Sequence, residues 1–73
     1  MFTDTQLKAR EFKLDIIAIV DGVNPKYKTV ACRVAEKAGH IVKDVDMEGH
    51  ANESQLTTLE MLMEKVVRLR SYR

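Results

Sequence analysis

Apolar side chains recur along this chain at helical spacing in three separate stretches. In residues 3–23, TDTQLKAREFKLDIIAIVDGV, one stripe of a 3.6-residue period holds Ala9, Phe12, Ile16, Ile19, Val20 and Val23. Leu7, Leu14 and Ala18 fall on a second stripe, about half a turn away. A surface helix of a small domain needs only one such stripe. Two predict a helix sandwiched between others, or a helix that offers one face to a partner. The run LDIIAIV would also suit a buried strand. The unbroken period from Ala9 to Val23 argues for the helix, as does the lack of a second strand-like run to pair with it.

The ends of this helix are marked by chemistry. Thr3 and Gln6 stand at the spacing of a capping box, and Phe2 and Leu7 at that of a hydrophobic staple. Gly22 is suited to a left-handed helix end. Asn24 is a good cap for a second helix, with Pro25 at its first position. The second stripe reads Tyr27, Val30, Ala31, Val34, Ala35, Ala38, Ile41, Val42 and Val45. It passes straight through Gly39, so the helix is expected to continue there at a cost of ~1 kcal/mol. Residues 46–52, DMEGHAN, read as an acidic loop with Met47 tucked under the bundle. Asn52, with Gln55 three residues on, caps a third helix. Its stripe is Leu56, Leu59, Leu62, Met63, Val66, Val67 and Leu69, and it is expected to fray over residues 70–72. The prediction is an all-α fold of one domain, residues 1–73. It is a compact antiparallel three-helix arrangement with helices at about 4–22, 25–45 and 53–70, the first most central.

Composition narrows the class further. Seventy-three residues bury one small core, and domains of this size often add a disulfide, a metal or a partner. The single cysteine, Cys32, excludes an internal disulfide and fits a reducing cytoplasm. No secretory signal is expected, and the apolar run 16–20 is far too short to span a bilayer. Twelve basic and eleven acidic residues give a net charge of +1, not the basic excess of a protein held by phosphate neutralisation. The charge is unevenly placed, with Asp44, Asp46, Glu48 and Glu53 in the middle and Arg68, Arg70 and Arg73 at the end. The arginines suit the negative end of a helix dipole, which is the preferred reading over partner steering.

The chain offers partial matches to four kinds of functional site. Ala35, Gly39 and Val45 have the spacing of a helix-turn-helix, but His40 stands where an apolar residue belongs. The recognition helix would also carry Asp44, Asp46 and Glu48 toward phosphate. Cys32, His40 and His50 match no compact zinc pattern; Cys32 reads as a small helical filler and the histidines as exposed. No phosphate loop, H-E-x-x-H or nucleophile elbow occurs, so neither an enzyme nor a cofactor is expected. The remaining candidates are partner contacts: Leu14 and Ala18 behind the first helix, Met61 behind the third, and Arg68, Arg70 and Arg73 as guanidinium forks. For Leu14 and Ala18, core packing is the preferred reading; for Met61, it is a lone exposed side chain.

Two stretches, MFTDTQLKAREFKLDIIAIVDGV at the start and TTLEMLMEKVVRLRSYR at the end, together with the full length, resemble the small transcription regulators of lytic Xanthomonas phages. The resemblance covers the whole chain but rests on no motif that assigns a role to a single residue. It implies a bacteriophage protein that binds host RNA polymerase at the N-terminus of β′ and the flap of β, near the RNA exit channel. It further implies inhibition of initiation by sigma displacement, and antitermination during elongation, with other elongation factors as further partners. A monomer without membrane or specific DNA binding is expected. The alternatives are a small helix-turn-helix-like DNA-binding repressor and a homodimeric structural helical module.

Overall fold

The computed structural model describes residues 1–72. Helix α1 (Asp4–Asp21) is followed by a 3-10 turn (Pro25–Tyr27), helix α2 (Lys28–Glu48) and helix α3 (Glu53–Ser71). With connections this short the helices run up, down and up, and all three pairs pack together. The body measures 40 × 17 × 15 Å, longer than wide, as three helices of 18, 21 and 19 residues side by side require. The fold is the all-α three-helix arrangement read from the hydrophobic period.

Both capping boxes form. The Gln6 amide donates to Thr3 Oγ1 at 3.2 Å and the Thr3 amide to Gln6 Oε1 at 2.8 Å. At α3 the Gln55 amide donates to Asn52 Oδ1 at 2.8 Å and the Asn52 amide to Gln55 Oε1 at 2.9 Å. Each box satisfies two backbone donors that a helix start otherwise leaves open. The α1 start is also tied to the α2–α3 link, residues 49–52. Thr3 Oγ1 donates to the Gly49 carbonyl at 3.2 Å, and the Ala51 amide donates to Thr5 Oγ1 at 3.0 Å.

The core runs down the axis. Ile16, Val45, Leu59 and Val66 are its largest fully buried side chains, and Ala9, Ala31 and Ala38 are fully buried where backbones approach closely. Phe12, Ile19, Tyr27, Ala35, Ile41, Leu56 and Met63 pack around it, partly covered. Val30 and Val67, placed on the core stripes by period, are instead 42% and 50% exposed. Each sits at the edge of its stripe, where the neighbouring helix no longer reaches.

Four boundaries differ from those expected. The second helix does not begin at residue 25: Pro25 opens a 3-10 turn, with Asn24 Oδ1 accepting from the Lys26 amide at 2.9 Å, and α2 starts at Lys28. It runs straight through Gly39, as expected, and continues three residues past Val45 to Glu48. Met47 is therefore helical and 79% exposed, not tucked beneath the bundle. The left-handed helix end is Gly49, φ 86°, which closes α2 with its amide on the Val45 carbonyl at 2.8 Å. Gly22 has φ −93°, open to any residue. A Cβ at position 22 would lie 3.3 Å from Arg70 Cδ, so the exposed Arg70 stem would shift slightly to admit it. Nor does α3 fray at residue 70. It holds to Ser71, and the Tyr72 ring rests against Tyr27, centroids 5.4 Å apart.

Ile16→Ala is expected to cost about 2–5 kcal/mol, most of the stability of a domain this size, whereas Leu14→Ala stays within about 0.5 kcal/mol. Gly49→Ala is expected to cost about 1–2 kcal/mol through its left-handed backbone, and Gly22→Ala clearly less. Urea denaturation followed by circular dichroism checks both orderings.

Candidate functional site

Helix α1 is not sandwiched. Its inner stripe is covered, but the opposite stripe faces outward, with Leu7 46%, Leu14 65% and Ile17 42% exposed and Ala18 also open. This corrects the core-packing reading of Leu14 and Ala18. Leu14, Ile17 and Ala18 lie within one turn of each other and make one apolar strip, while Leu7 lies two turns before Leu14, with Arg10 and Glu11 on the face between them.

Beside this strip a groove of about 490 Å³ opens between α1 and α2. Phe2, Leu7 and Leu14 line it from the α1 side and Val42 from α2. Its polar wall is a single construction: Arg10 Nη2 donates to Asp46 Oδ2 at 2.8 Å, and the Arg10 guanidinium carbon lies 3.8 Å from the centre of the Phe2 ring. Arg10 thus links α1 to α2 and holds down the ring of Phe2. Its Nε is buried without a hydrogen-bond partner, so the guanidinium is held by Nη2 and the ring. Phe2 and Leu7 sit where a hydrophobic staple would place them, yet both stay about half exposed as the lip of the groove.

The other candidates separate. Met61 is 64% exposed and Arg68 also open, two turns apart on the outer side of α3. Arg70 is exposed, but its stem turns to Gly22 at the end of α1. Arg73 lies outside the described residues. Leu14 and Ala18 belong to one surface, Met61 and Arg68 to another, and Arg70 to the end of the bundle. Cys32 is exposed rather than a filler, and His40 and His50 are exposed as expected. Among the described residues, no three His, Cys, Asp or Glu side chains are brought together to hold an ion. Among the same residues, no helix is long and apolar enough to cross a membrane.

No protein-family model, curated protein sequence or solved structure matches the chain. The site therefore stands on its own geometry. Three of its parts escaped the sequence pattern. Phe2 carried the signal of a staple, which hid its place in the groove. Ile17 lies between the two stripes and was assigned to neither. Arg10 gives no sequence signal because its partner, Asp46, lies in a stretch that reads as loop; only with α2 running to residue 48 do the two charges face each other across adjacent helices.

Both side chains of the Arg10–Asp46 pair are about a third exposed, so a double-mutant cycle is expected to give a coupling of only about 0.2–1 kcal/mol. That coupling should shrink as salt is raised. Denaturation of the two single alanine variants and the double variant, at low and high salt, measures it.

Proposed function

We propose that this chain is a phage-encoded, non-catalytic regulator that binds the host's bacterial RNA polymerase. In this reading it docks on the β′ N-terminus and the β flap near the RNA exit channel. It thereby displaces sigma to inhibit initiation, and acts as an antiterminator in elongation. The choice of polymerase is supported by the resemblance of the whole chain to small transcription regulators of lytic Xanthomonas phages. The choice of a binding role is supported by one observation above the rest: an apolar strip through Leu14, exposed on the side of α1 opposite the core.

Magnitudes set the extent of the contact. A specific interface buries ~800 Å² on each partner. An outer face of an 18-residue helix, ~27 Å long and ~10 Å wide, offers less than that. The docking surface therefore takes in the adjoining groove, with Leu14 and Leu7 as anchors and Arg10 on the rim. Met61 and Arg68, on another side, would meet a second region of so large a partner.

The helix-turn-helix alternative loses its structural basis at the expected position, because α2 is continuous from Lys28 to Glu48 and leaves no turn at Gly39. The homodimer alternative would use the same α1 strip.

Leu14→Asp is expected to keep the helical circular dichroism spectrum and to weaken retention by immobilised core RNA polymerase at least about tenfold. Retention unchanged in this variant would overturn the assigned face. No retention of the unmodified chain by core enzyme would overturn the polymerase reading. A mass that rises with concentration, and returns to the monomer in Leu14→Asp, would assign the strip to a second copy of the chain instead.

A further inference from the structure

A second groove, of about 410 Å³, runs between α2 and α3 and has a different character. Its floor is apolar: Val34 and Leu62 lie at its base, and Val30, 42% exposed, stands at one side. Its rim carries Arg33 and Lys37 from α2 and Lys65 from α3. None of the three makes an ion pair among the described residues, where Arg10–Asp46 is the ion pair found. Glu36 is the lone carboxylate lining this groove, and His40 sits at its end. The α1–α2 groove differs, since Arg10 and Lys13 are there matched by Glu11 and Asp46.

A chain of net charge +1 that gathers three unpaired cations around an apolar trough has concentrated positive potential at one place. The geometry points to an occupant of complementary chemistry: an acidic protein segment whose apolar side chains enter the trough over Val34 and Leu62 while its carboxylates meet Arg33, Lys37 and Lys65. The segment's apolar side chains supply affinity and the carboxylates orientation and rate. A phosphate backbone fits less well. It would leave the apolar floor of Val34 and Leu62 uncovered. This surface is separate from the α1 strip, and the inference holds whichever partner that strip takes.

The test uses the intact chain, isotopically labelled, and a fluorescent synthetic peptide of about four helical turns. The peptide carries leucines at helical spacing and is otherwise Glu and Asp. A peptide with Gln and Asn in their place and an oligouridylate are the comparisons. The expected result is saturable binding of the acidic peptide, with amide shifts centred on Val30, Arg33, Lys37, Leu62 and Lys65. The double variant Arg33→Glu, Lys37→Glu is expected to weaken it about tenfold, the sum of a few exposed charge contacts. Lys43→Glu, away from the groove, is expected to leave it unchanged. The milder Arg33→Gln, Lys37→Gln variant gives the same reading if the reversed charges disturb the fold. Absence of binding, equal binding of the uncharged peptide, shifts centred on Leu7 and Leu14, or tighter binding of the oligouridylate would each overturn the proposal.

Discussion

Three helices around one axis give each helix an inner face, shared with two neighbours, and an outer face that the other two helices do not cover. This constraint governs the molecule. Ile16 on α1, Val45 on α2 and Leu59 and Val66 on α3 are all fully buried because each lies on the inner face of its helix. Leu14, on the opposite side of α1, borders the α1–α2 groove and stays 65% exposed. Among the described residues no fourth helix lies over it. A second apolar stripe on any helix of such a bundle must therefore either tolerate water or find cover from another molecule.

The fold was legible because its signals are local and redundant. Each helix has a period, and two of the three have a capping box whose donors and acceptors lie within four residues of each other. Failures came where two local signals competed and only tertiary contacts decided. Gly22 and Gly49 both follow an apolar stripe, and only the backbone shows which one turns left-handed. Asp46 and Glu48 are acidic and Met47 lies off the stripe, so residues 46–48 read as loop. Yet a helix already formed to Val45 extends easily until a residue allows the chain to reverse, and Gly49 is the first that does. For the candidate site, the apolar strip was half visible as a second period. Its position outside the core was not, because periodicity reports that a face is apolar and not what lies against it.

The surfaces left over by this geometry differ in kind. Between α1 and α2 two cations are balanced by two carboxylates, Arg10 and Asp46 as an ion pair, and Phe2 is held under Arg10 at the lip of the groove. Between α2 and α3 the cations face outward without partners. Since α2 forms one wall of both grooves, the two surfaces lie on either side of a single rigid helix. A molecule bound in one would sit about one helix diameter, ~10 Å, from a molecule bound in the other. Small as it is, the bundle has room to touch two neighbours at once.

The hydroxyls of Thr3 and Thr5 fasten the beginning of the first helix to the hinge between the other two. These bonds join positions 46 residues apart in the chain, so they close a loop that no covalent crosslink closes. The opening turn of α1 cannot unwind alone without also freeing that hinge. Slow amide exchange at Ala51 should therefore rise and fall with that of the first turn, as one opening event rather than two.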